Sequence, residues 1–195
     1  MAEHLFIAFA NSAVYDGRGN LDDRLHDGGW RRTFLEEWGL TRYGPIEATD
    51  LEDLAELRSA IRSIAGQVGA GRKPAAPDVG LLNEVLAEHP VRFHLSARDG
   101  REMALDVEPI AEHGASTVAA EIALSAARFL ADEDLGRLKM CDNAGCRWMF
   151  YDATRNRSRR WCKLCGNVDK VRRFRERQRT AGGGQDARRA GRRSR

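Results

Sequence analysis

Four cysteines, the full complement of a 195-residue chain, fall within 25 positions in the pattern Cys141-x4-Cys146-x15-Cys162-x2-Cys165. Two close pairs separated by a loop is what tetrahedral thiolate coordination of Zn2+ requires: each pair bends the chain around one centre, and the loop returns the second pair to the same ion. Gly145 and Gly166, beside the ligands, are expected to make the tight turns. No histidine follows His113, so the ligand set is four thiolates. That closed set suits a structural zinc rather than a catalytic one, which keeps a position open. Disulfides are the poorer reading in a chain taken as cytoplasmic. A redox Cys-x2-Cys pair belongs beside a βαβ pattern that is absent here.

Charge divides the chain at about the same place. Residues 137–195 hold 19 Lys and Arg against 5 Asp and Glu, a surplus of 14, whereas residues 1–136 carry a net −11 and the whole chain +3. A basic end facing a polyanion is the natural consequence. Zinc with four thiolates carries −2, so Arg147, Arg160 and Lys163 are expected to offset it and to donate hydrogen bonds to sulfur. A surplus of 14 exceeds that need. Trp148, Phe150, Tyr151 and Trp161 lie among the ligands and read as a small core over the metal, with base stacking as the alternative.

Apolar periodicity describes the first 136 residues as an α+β unit, mostly helical with one β-hairpin. LFIAFA at 5–10 is too short to assign, and YDGRGN reads as a turn. Trp30, Phe34, Leu35 and Trp38 share a helical face. Leu51, Leu54, Leu57, Ile61, Ile64 and Val68 form the clearest stripe, with Thr49 and Glu52 as a capping box. A further helix carries Leu81, Leu82, Val85 and Leu86 up to Pro90. Val91, Phe93 and Leu95 alternate with Arg92, His94 and Ser96. Asp99-Gly100 turns the chain, and Met103, Leu105 and Val107 continue the alternation, with His94 facing outward. The last long helix is expected over about 110–130, from Ile110 to Phe129. The expected organisation is an α+β unit over 1–136, a four-cysteine zinc finger ending in a basic helix over 137–180, and a disordered Gly/Arg-rich tail over 181–195. No run approaches the length of a membrane span, and no basic segment precedes the N-terminal apolar run, so the chain is expected in the cytoplasm, including the nucleoid of a bacterium.

Two clusters carry the basic charge. Arg155, Arg157, Arg159 and Arg160 sit in the loop between ligand pairs. After the last ligand, Lys170, Arg173 and Arg177 form one helical stripe and Arg172, Arg175 and Arg179 another. Between them lies a seam of Val171, Phe174 and Gln178, expected to pack on the zinc core, with Asn167 or Asp169 capping the helix start. Several positive charges along a groove, most of them arginine, match phosphate recognition.

The segment CDNAGCRWMFYDATRNRSRRWCKLCGN followed by a basic helix resembles the CGNR-type zinc finger, with RNRSRRWC at 155–162 the most specific part. In that family the finger follows an N-terminal ABATE domain found in stress-induced transcription regulators, and Phe9, Asn11 and Ser12 resemble its early F-x-N-T motif. The resemblance implies DNA binding, a fold of helices and a hairpin, and a zinc finger. Val168 stands where the family signature has Arg, which removes one phosphate contact and leaves Lys170, Arg172 and Arg173 to substitute. The last cysteine pair is spaced x2, where the family commonly has x4.

The function expected is a zinc-dependent, DNA-binding transcriptional regulator, with duplex DNA as partner. The acidic unit then pairs two copies as a homodimer or senses a small-molecule effector. An RNA- or ribosome-associated zinc protein and a small-molecule sensor are the alternatives. No enzyme is expected: His4, His26, His89, His94 and His113 are scattered, Asp22-Asp23 and Glu36-Glu37 are adjacent rather than facing, and no phosphate loop or nucleophile motif occurs.

Overall fold

The computed structural model describes residues 4–16, 18–100, 102–110, 114–172, 174, 175 and 177. The expected tail over 181–195, together with Arg173, Gln178, Arg179 and His113, lies outside the described residues.

The protein is α+β. In chain order it runs α1 (Leu5–Ala10), β1 (Ala13–Tyr15), β2 (Leu21–Asp23), α2 (Gly28–Glu37), α3 (Leu51–Gly69), α4 (Ala76–Glu88), β3 (Val91–Ala97), β4 (Met103–Pro109), α5 (Ala115–Asp132), β5 (Leu138–Met140) and β6 (Met149–Tyr151). A helix that we call α6 follows over 163–172, and 174, 175 and 177 are helical too. Among the described residues the strands form three separate antiparallel hairpins. No described helix is long and apolar enough to cross a membrane.

Helix α3 is central. Leu54, Leu57, Ile61, Ile64 and Val68 are buried as the stripe predicts, and α1, α4, α5 and β5 pack around them. Each such aliphatic side chain contributes roughly 1.5–3 kcal/mol on leaving water. The unassigned LFIAFA is α1, and its Phe6, Ile7 and Phe9 enter the same core. The expected capping box at Thr49 and Glu52 is displaced. A 3-10 turn, Ala48–Asp50, precedes α3, and the reciprocal box forms between Glu47 and Asp50. Helix α5 begins at Ala115 rather than near 110, and Ile110 is exposed at the end of β4.

Hairpin β3–β4 has the register that Asp99-Gly100 predicts, with Ala97 opposite Met103 and Leu95 opposite Leu105, and Gly100 adopts φ 78°. Its apolar face is not inside, however. Phe93, Leu95, Met103 and Leu105 are all exposed, and α5 packs against the hairpin along β4.

The main core continues across residue 137. Leu138 of β5 and Met149 of β6 are buried in the same cluster as the α3 stripe. Close approach of β5 needs Gly69: a Cβ there would lie 2.7 Å from the Leu138 carbonyl oxygen, inside any real contact. The Asn11 amide completes the joint. Its Nδ2 donates to the Met149 carbonyl and its Oδ1 accepts from the Met149 N–H, both at 2.8 Å and both buried. Asn11 therefore pairs with β6 as another strand residue would, and Arg62 donates to the Ala10 and Arg147 carbonyls at 2.8 Å each.

Candidate metal centre and basic surface

The hairpin β5–β6 presents Cys141 at its exit and Cys146 just before its return, while Cys162 and Cys165 sit at the start of α6. A turn at Asn143 shapes the first pair: its Oδ1 accepts from the Gly145 N–H at 3.1 Å and its carbonyl from the Cys146 N–H at 2.8 Å. The left-handed residue there is Arg147, at φ 50°, whereas neither Gly145 nor Gly166 has a positive φ. The glycine expectation was thus misplaced: Arg147 takes the strained conformation, and its carbonyl is held by Arg62.

The four Sγ atoms lie within 4.8 Å of one another. Tetrahedral Zn–S bonds of about 2.3 Å imply sulfurs about 3.8 Å apart. Cys146 and Cys162 have that separation, 3.8 Å. The donor set thus fits a closed, four-thiolate metal site. Hydrogen bonds to sulfur come from the Cys162 N–H to Cys141 (3.4 Å), the Cys165 N–H to Cys162 (3.5 Å) and Asn143 Nδ2 to Cys165 (3.4 Å). The expected donors do something else. Arg147 lies over the Tyr15 ring, Arg160 binds Asp142 at 2.7 Å, and Lys163 is exposed. Backbone amides at a helix start reach sulfur more economically than long side chains do. Burial pushes the Cys141 and Cys146 thiols up, whereas at Cys165 burial is outweighed by hydrogen bonds from Asn143 and the other thiols, which lower it.

Phe150 is buried against Cys141 and Cys162, with Trp148 and Trp161 packed beside them, which is the small core expected over the metal. Tyr151 points the other way, into the main core, with its ring edge-on to Phe129 at 5.8 Å.

A residue without a motif organises the loop between the ligand pairs. Asp152 is fully buried. It accepts from Lys139 Nζ at 3.0 Å, from Thr154 Oγ1 at 2.6 Å, and from the N–H groups of Thr154 (3.1 Å) and Arg159 (2.9 Å). Burial alone raises its pKa, but these donors hold it well below the usual carboxylate range. Lys139 also donates to the carbonyls of Arg157 and Arg159, and Arg137 to those of Asp152 and Thr154. The loop is therefore fastened to β5 from inside.

The predicted basic residues divide accordingly. In the loop, Arg157 pairs with Asp134 at 2.6 Å, Arg159 lies over Phe150 at 4.8 Å, and Arg160 pairs with Asp142 while covering Trp161 at 5.2 Å. Arg155 is exposed. On α6, Lys170, Arg172, Arg175 and Arg177 are exposed, with Arg172 3.4 Å from Asp169 one turn earlier. Arg173 and Arg179 fall outside the described residues. The seam of α6 does not pack on the zinc core as expected. Val171 is 49 % exposed and Phe174 56 %, and Leu164 and Val168 are exposed too, at 73 % and 64 %, so the apolar face of the described helix lies open. The helix starts at 163, directly after Cys162, which places Asn167 and Asp169 inside it rather than at its cap.

Comparison with known proteins gives two family matches. The model of ABATE, described as a putative stress-induced transcription regulator, matches residues 3–133. The model of the CGNR zinc finger matches residues 137–178. No curated protein matches the chain.

Proposed function

The chain belongs to the ABATE family, with a CGNR zinc finger after the ABATE segment, and from that premise we propose a DNA-binding transcriptional regulator whose finger is built on one structural Zn2+. Cys141, Cys146, Cys162 and Cys165 hold the ion, and its work is to fix the start of α6 against hairpin β5–β6. Lys170, Arg172, Arg175 and Arg177 then displace cations from DNA phosphates, with Arg155 and the partly paired Arg157, Arg159 and Arg160 adding to the edge of the same surface. The single observation that carries this reading is an exposed, arginine-rich helix anchored at its N-terminal end by a thiolate cluster. Arg173 and Arg179 belong to the same stripes by sequence. The protein acts by binding, not by catalysis, in the bacterial nucleoid. Val168 makes the helix face apolar where the signature has a cation.

Fluorescence anisotropy with labelled duplex DNA, in competition with single-stranded RNA, tests the proposal. Binding is expected to weaken steeply with salt and to favour the duplex. Cys162→Ser protein without zinc should not bind. Equal binding by that variant rejects the mechanism, and a strong preference for single-stranded RNA replaces DNA with RNA as partner.

A further inference from the structure

A cleft of about 830 Å³ opens where the ABATE segment meets the finger. Helix α3 forms one side, the β1–β2 hairpin brings Tyr15, and the finger brings Cys141 and Arg147. Four arginines reach it: Arg58, Arg62, Arg72 and Arg147. Arg58 is neutralised, since both its terminal nitrogens bond Asp23 at 2.6 Å. Among the described residues no carboxylate lies within ion-pair distance of the other three. Arg62 is partly buried, and its hydrogen bonds go to the carbonyls of Ala10 and Arg147, which bring no charge. A guanidinium has five N–H donors, so Arg62 keeps others for the cleft. The guanidiniums of Arg62 and Arg147 both lie against the Tyr15 ring, 5.7 and 5.5 Å from its centre.

Three cations lining one cleft repel one another, and the partial burial of Arg62 strengthens the repulsion it feels, unless an anion joins them. The metal site on the same wall offsets some of it. Yet Arg72 follows α3 and is exposed, which suits a ligand at the mouth better than charge balance for sulfur. The fork of arginine matches phosphate oxygens, and the volume is that of small-molecule sites rather than of one ion. We propose that this cleft binds a small phosphorylated molecule, its phosphoryl group held by Arg62, Arg72 and Arg147. Such a ligand touches α3 and the finger together, and Arg62 already holds the carbonyl next to a metal ligand. Binding would therefore stiffen the joint that aims α6. The inference stands whether or not α6 binds DNA.

The test is isothermal titration of full-length, zinc-loaded protein with inorganic phosphate and with pyrophosphate. Saturable one-to-one binding is expected. Arg72→Ala, at an exposed position, should weaken it about tenfold or more, the usual scale of a hydrogen bond to a charged group. Arg62→Gln should do the same while keeping zinc. Absence of saturable binding to wild type, or unchanged binding in both variants, overturns the proposal. So does loss of zinc in the variants with phosphate affinity unchanged per zinc-loaded chain, which makes the arginines mere counter-charges. An equal loss of duplex DNA and phosphate affinity in Arg72→Ala also overturns it, since the cleft is then part of the polyanion surface.

Discussion

The loop between the ligand pairs and the helix after them have nearly the same composition and opposite structural characters. In the loop, each of Arg157, Arg159 and Arg160 is engaged by a carboxylate, an aromatic ring or both, and Asp152 and Lys139 fasten the backbone beneath them. On α6, Lys170, Arg172, Arg175 and Arg177 are exposed, and so is the apolar seam over its described residues. Arginine density alone thus does not identify a binding surface. Asp134, Asp142 and Asp152 surround the loop, and on the described part of the helix Asp169 lies beside Arg172.

The largest effect expected from this contrast is on the helix. Replacing Lys170, Arg172, Arg175 and Arg177 together with Gln should cost on the order of 100-fold to 1000-fold in duplex affinity and lower the salt slope by about 3–4. Zinc content and melting temperature should be unchanged, as all four side chains are exposed. If Arg157→Ala with Arg160→Ala costs as much, the contrast between the regions is broken.

Next in size is the fastening of the loop. Asp152→Asn leaves the Lys139 ammonium without its carboxylate. We expect a loss of roughly 2–4 kcal/mol, toward the low end for a broken buried pair because Lys139 is partly exposed and keeps two carbonyls. Urea unfolding of zinc-loaded protein gives the value. The same pair carries a pH signature. The folded-state pKa of Asp152 is depressed, so its contribution is complete above the unfolded value near ~4 and is lost as pH falls from there toward the folded value. The gap between wild type and Asp152→Asn should therefore be constant near neutral pH and close below about pH 4. Thiolate protonation is common to both proteins and cancels in the gap.

Comparable in cost is the joint that carries both regions. Asn11→Ala strands the buried N–H and C=O of Met149, and about 2–4 kcal/mol should be lost. Smallest is Arg160→Ala alone, an exposed pair expected to change stability by less than about 1 kcal/mol.

The helical architecture and the metal site were legible because each rests on a local period. The α3 stripe repeats at helical spacing, Asp99-Gly100 sets a hairpin register, and the cysteine spacing returns four sulfurs to one point. What sequence reasoning missed depends on distance along the chain. Asn11 meets Met149 across 138 positions, and nothing near either residue announces the pair. Only the resemblance to an F-x-N-T motif singled out Asn11, without a role. Asp152 lay in view as an acid in a basic stretch, and that inversion of sign was a usable signal. The α6 seam was read correctly as a pattern but wrongly as buried, because periodicity says which residues share a face and not what covers it. The exposed face of β3–β4 has the same explanation.

The proposed function rests on one metal ion clamping the finger and so positioning a helix of exposed cations. Elemental analysis of purified full-length protein, with duplex binding measured on the same sample, tests it most directly. One zinc per chain is expected, with joint loss of zinc and of duplex binding in Cys162→Ser. Wild-type protein that binds duplex DNA with no stoichiometric metal would contradict it.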